Sequence, residues 1–223
     1  MEHSIYNTLL QLPLFQGMSR MELSEVVGKV KLHFLKFKSQ KKIFDQGEKC
    51  DKLVFLLSGE LISETIAPCG TFSLIEILDK PQILELHSLF GKHPSYKATY
   101  TANGNVSLLI IDKRYIYSVL DKYEVFRMNL FNMLSNKAEQ LYEHIWSVYP
   151  KQLEGRLAHF VRSICSIPNG QKILKIRMDD LASLLDDTRL NVSKVLNKWE
   201  KSGIVEKRRK EYVFRAVESL KEL

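Results

Sequence analysis

The segment between Thr188 and Lys201 carries side chains that can contact nucleic acid. Arg can donate two hydrogen bonds to the edge of guanine, and Asn can both donate to and accept from adenine. Lys and Arg also attract phosphates, and each phosphate contact releases a condensed counterion. The residues that we expect to contact bases or phosphates are Thr188, Arg189, Leu190, Asn191, Ser193, Lys194, Asn197, Lys198, Lys201, Lys207, Arg208, Arg209 and Lys210.

The positive charge of the chain is concentrated around this segment. Residues 151–223 contain 16 Lys and Arg against 10 Asp and Glu, a net charge of +6, whereas residues 1–150 contain 17 against 16. A local excess of cations creates a positive field that favours the phosphate backbone of nucleic acid. The distribution of charge therefore indicates a polyanionic partner.

Two helices and a tight turn are predicted to position these side chains. Leu181, Leu184 and Leu185 share one helix face, which predicts a short helix from about Met178 to Leu185. The next two residues are Asp, which tolerates left-handed backbone conformations, and Thr188 can then cap a second helix. The apolar stripe of that second helix consists of Val192, Val195, Leu196 and Trp199.

The opposite face of the second helix is predicted to be exposed and cationic. At about 100° per residue, Leu190 lies on that face together with Lys194, Asn197 and Lys201. Charge on an exposed face is usually only solvated, so an ordinary amphipathic helix is the alternative interpretation. Leu190 favours the nucleic-acid interpretation, because an apolar side chain there could contact a thymine methyl group.

A basic hairpin follows this helix. Gly203 is expected to end the helix, and residues 204–214 contain two β-prone runs joined by a basic tip. Such a hairpin can lie along a phosphate backbone. Helix, turn, helix and basic hairpin together are typical of a winged helix-turn-helix.

The first half of the chain predicts an antiparallel barrel or roll. Apolar residues alternate or cluster at 32–37, 53–57 and 106–111. Gly47, Gly59, residues 68–70 and Asn103-Gly104 are expected to break these runs into strands of a few residues each. A helix is predicted after Ser19, with Glu22 completing a capping box, and is expected to pack on the roll.

After a short element at 114–120, a long helix is predicted at 124–149. Its length would be about 40 Å, and a stripe this long on a helix that joins two domains is expected to need a partner. The alternative is that the stripe packs on its own roll. The predicted contacts with a second copy of the chain are Phe126, Leu130, Met133, Leu134, Lys137, Ala138, Leu141 and Ile145.

Several classes of protein are not supported by the sequence. Cys50, Cys69 and Cys165 are far apart, which argues against a disulfide framework and a C-x-x-C metal site. The six His residues lack metal-ligand spacing, and no nucleophile elbow, P-loop or dinucleotide motif is present. No run approaches the length of a membrane span and no secretion signal is recognised. We therefore expect a cytoplasmic protein that is not an enzyme and binds no cofactor or metal.

The arrangement resembles the Crp/Fnr family of bacterial transcription factors, named for the cyclic-AMP receptor protein and the fumarate-nitrate regulator. Besides the helix-turn-helix, the resemblance is carried by Gly155-Arg156-Leu157-Ala158, by Ile43-Phe44-Asp45-Gln46-Gly47-Glu48 and by Leu56-Leu57-Ser58-Gly59-Glu60-Leu61. It implies an α+β fold in three parts. These are a cyclic-nucleotide-binding-like β-roll or jelly roll (1–122), a dimerisation helix and hinge (123–149), and a winged helix-turn-helix domain (150–223).

The resemblance also implies an effector pocket, but with changed residues. Family members that bind cyclic nucleotides use a Gly-Glu-Leu turn and a downstream Arg to hold the phosphate, and the Glu to hold the ribose. Here Leu84 replaces the Gly, and Tyr96 or Lys97 falls where the Arg is expected. These changes hinder a close approach of the backbone and remove a bidentate partner. The residues assigned to this pocket are Glu85, Leu86, His87, Ser88, Tyr96 and Lys97.

The sequence leaves three possibilities for the effector: a cyclic nucleotide, another small ligand, or no ligand. The changed residues disfavour cyclic AMP, and Glu85 could equally be a structural turn residue. Some family members hold an iron–sulfur cluster through Cys residues near the N-terminus, but this chain has none before Cys50. A cluster is therefore not expected.

The leading hypothesis is a homodimeric transcription regulator that binds a palindromic operator. Its implied partners are double-stranded DNA, a second copy of the chain, RNA polymerase and an unknown small-molecule effector. The family has Glu after the first Arg of the recognition helix, whereas this chain has Leu190, so the family's operator sequence should not be transferred. The alternatives are a ligand-binding or protein-interaction module that no longer reads DNA, and an enzyme whose unrecognised residues lie in the roll.

Overall fold

The structure is a computed structural model that describes the backbone of residues 2–222 and the side chains of residues 5–143 and 145–220. The helices are α1 (Glu2–Gln11), α2 (Arg20–Lys29), α3 (Leu86–Leu89), α4 (Lys113–Ser118), α5 (Glu124–Ile145), α6 (Leu153–Ser163), α7 (Met178–Leu184) and α8 (Arg189–Lys201). The strands are β1 (His33–Phe37), β2 (Lys42–Phe44), β3 (Lys52–Ile66), β4 (Phe72–Leu78), β5 (Gln82–Leu84), β6 (Thr99–Asp112), β7 (Lys172–Ile176), β8 (Val205–Arg208) and β9 (Glu211–Phe214). Among the described helices, none is both long and apolar enough to cross a lipid bilayer.

The chain forms two compact units. The first contains residues 2–61, 79–97 and 101–145, and the second contains residues 62–78, 98–100 and 146–222. The sequence did not predict that the β3–β4 hairpin, residues 62–78, belongs to the second unit. This division follows from strand pairing between β4 and β7, which are about 100 residues apart in the sequence.

The first unit contains an antiparallel roll, as predicted. β1 pairs with β6 from His33 opposite Ile110 to Phe37 opposite Val106, and β5 pairs with β3. The prediction that Gly59 and Asn103-Gly104 break the strands is wrong, because β3 and β6 continue through them. Both glycines have a φ near +90°, so they allow a local change of direction within a long strand.

A cluster of aromatic rings forms part of the core of this unit. Phe15 lies 5.9 Å from Phe55 of β3 and 5.4 Å from Phe126 of α5, measured between ring centroids. The predicted capping box of α2 is confirmed, since Ser19 and Glu22 exchange hydrogen bonds at 2.7 and 3.2 Å. Because Phe126 packs in this aromatic cluster, the start of α5 is fixed against its own unit.

The long helix ends earlier than predicted. α5 has 22 residues and ends at Ile145 rather than Tyr149, which gives a length of about 33 Å. The short element before it is α4, followed by a 3₁₀ turn at Leu120–Lys122. Helical spacing of apolar residues continued past Ile145, but the described backbone leaves the helix there.

The second unit contains the predicted helix-turn-helix and hairpin, together with a sheet that was not predicted. β4 pairs with β7, β7 with β9, and β9 with β8. The observed bounds of α7, α8 and the hairpin confirm the sequence prediction for this segment. The core between the helices and the sheet contains Leu157, Val161, Leu174, Ile176, Leu181, Leu185, Val192, Leu196, Trp199 and Phe214.

Candidate nucleic-acid interface

The turn before α8 determines how this helix is oriented on α7. Asp186 adopts a left-handed conformation with φ of 48°. The Thr188 hydroxyl oxygen accepts a hydrogen bond from the backbone N–H of Asn191 at 3.2 Å. Val192 and Trp199 then pack with full burial in the core. Because this stripe faces inward, the opposite side of α8 faces solvent.

Most of the predicted contact residues on α8 are exposed. Leu190 is 65% exposed, in the middle of a face that otherwise presents polar and cationic groups. Ser193 is half-buried. The exposed members of the predicted set on this helix are Thr188, Arg189, Leu190, Asn191, Lys194, Asn197, Lys198 and Lys201.

Two predicted base readers contact carboxylates of α7 and the turn, and the sequence did not predict these contacts. Arg189 forms an ion pair with Asp179 of α7 at 3.1 Å, and both side chains are more than two-thirds exposed. The Asn191 side chain donates to Asp187 at 2.9 Å. An exposed ion pair contributes little net free energy in water, so Arg189 can exchange Asp179 for another partner.

Lys198 has a different environment from the other cations on α8. Its Nζ lies 2.7 and 2.9 Å from the two carboxylate oxygens of Glu154 on α6, and the Trp199 indole N–H donates to the same carboxylate at 2.8 Å. The hydrogen bond from Lys198, with help from that of Trp199, holds the pKa of Glu154 below its ordinary value. Lys198 thus joins α8 to α6, which is a structural role.

The hairpin of β8 and β9 presents its cations unequally. Lys207 is 27% exposed and pairs with Glu200 at 2.9 Å, which lowers the pKa of that Glu. It also contacts the Asn197 side chain. Arg209 and Lys210 are exposed at the tip, and Lys210 has φ of 62° as part of the turn. The tip is therefore the more accessible cationic part of the hairpin.

The predicted dimer stripe is divided between buried and exposed residues. Phe126 and Leu130 are buried in their own unit, so the alternative interpretation, packing on the roll, applies to this end of the helix. Met133, Leu134 and Lys137 are half-buried, and Ala138, Leu141 and Ile145 are exposed. The second half of α5 therefore presents an apolar surface to solvent.

The predicted effector residues are held mainly by one another. Glu85 has a left-handed backbone conformation with φ of 41°. Its carboxylate accepts hydrogen bonds from the backbone N–H of Lys97 at 2.7 and 2.8 Å and from the Ser88 hydroxyl at 2.8 Å. Leu86 and Ser88 are buried, whereas His87 and Lys97 are exposed. Glu85 thus closes a turn between α3 and the segment that precedes β6.

Tyr96, one of the two residues that fall near the position where the resemblance implied an Arg, lies in the interior of the roll. Its ring is 1% exposed and stacks on Phe44 with 4.4 Å between centroids. Burial raises the pKa of Tyr96, and also raises the pKa of the neighbouring Cys50 to about 11. Both groups therefore stay neutral at physiological pH, and neither supplies the positive charge that an Arg would carry.

A surface cleft of about 520 Å³ lies elsewhere on the first unit and contains none of the predicted effector residues. Its cations already have partners, since Lys113 donates to the Leu89 carbonyl at 2.6 Å and Arg114 lies 3.7 Å from Asp112. The residues that line it are Lys49, Cys50, Asp51, Pro94, Asp112, Lys113, Arg114 and Tyr117.

Two protein-family models match the chain. The model of a cyclic nucleotide-binding domain matches residues 34–123, and the model of a Crp-like helix-turn-helix domain matches residues 155–223. No curated protein sequence matches the chain. The two models thus cover the roll and the helix-turn-helix segment in the expected order.

Solved structures share this fold at low sequence identity. The catabolite activator protein of Thermus thermophilus is 20% identical, with a TM-score of 0.53 over 94% of this chain and 97% of that one. A protein of Eubacterium rectale described as a Crp/Fnr-family transcriptional regulator is 18% identical, with a TM-score of 0.55 over 95% and 97% of the two chains. The sensor domain of the transcriptional regulator DNR from Pseudomonas aeruginosa is 20% identical, with a TM-score of 0.54 over 66% and 97%. With both family models in sequence on this fold, the chain belongs to the Crp/Fnr family of transcription regulators and carries a Crp-like helix-turn-helix.

Proposed function

We propose that the protein is a homodimeric transcription regulator that reads a palindromic operator with α8. The observation that carries this proposal is the solvent-exposed face of α8, which combines Arg189, Asn191 and Lys194 with the apolar Leu190. Arg and Asn supply the hydrogen-bonding geometry for base edges, and Leu190 supplies an apolar contact for thymine. A solvated surface gains nothing from an apolar side chain in that place.

The cations divide into two groups by their surroundings. Arg189 and Lys194 lie on the exposed face of α8, and Arg209 and Lys210 lie at the hairpin tip. In a helix-turn-helix complex the helix enters the major groove, and a hairpin beside it contacts the backbone. We assign base reading to the first group and phosphate contacts to the second.

The homodimer is supported by the exposed apolar surface of α5. A second copy would cover Leu141 and Ile145, which are 52% and 77% exposed. Two copies related by a two-fold axis would present two recognition helices to half-sites about 34 Å apart. RNA polymerase follows as a partner from the proposed role in transcription.

We propose further that the roll responds to a small molecule other than a cyclic nucleotide. The carboxylate that would hold a ribose accepts hydrogen bonds from Lys97 and Ser88. Of the two residues near the expected position of the phosphate-binding Arg, Tyr96 is buried and Lys97 is exposed. Cyclic AMP and cyclic GMP are expected to leave the melting temperature unchanged. A rise that depends on their concentration would contradict this part of the proposal.

A gel-shift series on random DNA and on a genomic fragment library tests the DNA-binding function. We expect the protein to retain a small subset of genomic fragments, with affinity falling steeply with salt at a slope of about 0.9 per phosphate contact. Lys194→Ala should weaken binding, whereas Lys36→Ala on β1, an exposed cation of the first unit, is the matched control. Equal retention of all sequences would refute operator recognition.

A further inference from the structure

Asp187, in the turn between α7 and α8, connects three parts of the second unit through one carboxylate. Its Oδ2 accepts a hydrogen bond from Arg156 Nη2 at 2.7 Å. Its Oδ1 accepts from the Asn191 side chain at 2.9 Å and from the backbone N–H of Thr188 at 2.8 Å. Both oxygens therefore have donors, and one of these donors is a residue on the reading face.

Arg156 is fixed from a second side. Its Nη1 donates to the Lys151 carbonyl at 2.9 Å, and the neighbouring Gly155 lets Pro150 pack so closely that a Cβ at 155 would lie 2.7 Å from it. The side chains of Arg156 and Asp187 are only 19% and 18% exposed. Because water screens this pair less than a surface pair, Asp187 has little freedom to rotate.

The ion pair of Arg189 is far more exposed than the ion pair of Asp187. Asp179, the partner of Arg189, is 69% exposed, so that ion pair is readily broken when another anion approaches. Asn191 instead donates to a carboxylate that Arg156 holds in place. With one N–H directed to Asp187, the amide group can present its second N–H and its oxygen to a base, which is the pair of groups that reads adenine.

We propose that Asp187 is a specificity-determining positioning residue, which holds the Asn191 amide in one orientation and is itself held by Arg156 of α6. A side chain that is already ordered loses less entropy when it binds. Asp187 therefore sharpens the preference at one base pair without contacting DNA itself. This inference rests on the proposed function and adds to it the residue that orients one reader.

Selection of bound sequences from a randomised DNA pool tests the inference. The base pair read by Asn191 is identified as the position whose preference Asn191→Ala abolishes. Asp187→Ala is expected to reduce the preference at that same position about tenfold and to leave the other positions unchanged. The double variant should lose no more than Asn191→Ala, because both changes remove one interaction.

Asp186→Asn is the matched control. Asp186 is the adjacent exposed Asp, and Asn tolerates its left-handed backbone, so this variant removes a negative charge from the same turn. Any general gain in affinity for phosphates should appear in both variants, whereas the change in preference should appear in Asp187→Ala. If Asp187→Ala fails to fold, Asp187→Asn replaces it, since an amide offers one acceptor oxygen to donors from both Arg156 and Asn191.

A measurement without DNA separates this inference from the proposed function. In protein labelled with ¹⁵N-asparagine, the signals of the Asn191 side-chain amide are the side-chain signals missing from Asn191→Ala. They should move in Asp187→Ala or Asp187→Asn and stay in place in Asp186→Asn. Unchanged Asn191 signals, or a wild-type operator selected with equal sharpness by the Asp187 variants, would overturn the inference alone. A wild-type protein that selects no sequence would overturn the proposed function and this inference together.

Discussion

At the scale of the residue, location separates Arg189, on the exposed face of α8, from Arg209, at the tip of the hairpin. Arg189→Ala is expected to cost about 1–3 kcal/mol on the selected operator and to relax preference at one base pair. Arg209→Ala, at the exposed tip, should weaken all sequences by a similar factor and reduce the salt slope by about one. Lys207→Ala should have a smaller effect, because Glu200 already holds Lys207. Titration of each variant on operator and random DNA at several salt concentrations measures these differences.

If Arg189 reads a base and Arg209 contacts phosphate, the two variants should differ in the ratio of operator to random affinity. The ratio of operator to random affinity must fall for Arg189→Ala and stay constant for Arg209→Ala. Identical behaviour of the two variants would show that the division is wrong.

The fluorescence of Trp199 should report the ionisation of Glu154, because its indole N–H donates a hydrogen bond to that carboxylate. Since Lys198 lowers the pKa of Glu154 below 4.5, the carboxylate stays charged at neutral pH. Its stabilising contacts are present above the unfolded-state pKa and are lost as pH falls through the folded-state value. In Trp146→Phe, which leaves one of the two Trp residues, fluorescence should be constant down to about pH 4.5 and change below it.

Lys198→Met tests the cause of that shift. Removing the cation should move the fluorescence transition to higher pH, while Lys201→Met, which changes an exposed cation on the same helix, should leave it in place. A transition at the same pH in Lys198→Met would contradict the assignment.

At the scale of the element, local patterns predicted what local chemistry determines. Caps, turns and apolar periodicity place α2, α7, α8 and the β8–β9 hairpin correctly, because each depends on residues within a few positions. Glycine was misread as a strand break at Gly59, where the neighbouring strand requires it. The partners of Arg189 and Asn191 and the pairing of β4 with β7 depend on contacts between separate elements, which periodicity does not encode.

Gly59→Ala should destabilise the protein more than Gly70→Ala does. Both residues have positive φ, so either substitution introduces backbone strain of about 1 kcal/mol. A Cβ at Gly59 would in addition lie 2.2 Å from the Asn105 carbonyl oxygen, whereas a Cβ at Gly70 meets nothing within 4 Å. Urea unfolding of the two variants measures the difference, and equal losses would show that β3 and β6 are not closely apposed there.

The buried ion pair between β4 and β7 is a second element-scale test. Glu76 and Lys172 are 2% and 1% exposed and lie 3.4 Å apart. The Glu76 carboxylate also accepts hydrogen bonds from the backbone N–H groups of Ser166 and Ile167. Glu76→Ala leaves a buried cation without its carboxylate, so unfolding should become easier by about 3–5 kcal/mol.

The double variant Glu76→Leu/Lys172→Met separates charge from packing. Two apolar side chains of similar size avoid an unpaired buried charge, so the double variant should be more stable than Glu76→Ala in urea unfolding. If it were no more stable than Glu76→Ala, the loss in Glu76→Ala would not come from an unpaired buried cation.

At the scale of the whole molecule, the two ends of α5 differ in burial. Phe126 and Leu130 are buried in the core of their own unit, whereas Leu141 and Ile145 are exposed, and we propose that a second copy covers them. The apolar stripe in the sequence did not distinguish the buried residues from the exposed ones, because periodicity shows which residues share a face and not what covers them. Burial in the structure makes this distinction residue by residue.

Leu141→Glu should therefore separate dimerisation from folding. A carboxylate on the exposed surface costs the single copy little but would be buried without a partner in the dimer, so sedimentation velocity should show monomers with an unchanged circular dichroism spectrum. Met21→Glu, at a side chain of α2 that is 76% exposed, should leave the dimer intact. Because two linked recognition helices raise the effective concentration at a palindrome, the monomer should bind a full operator about 10²–10⁴ times more weakly. It should bind a single half-site as the wild type does, and a monomeric variant with full operator affinity would show that reading does not need two copies.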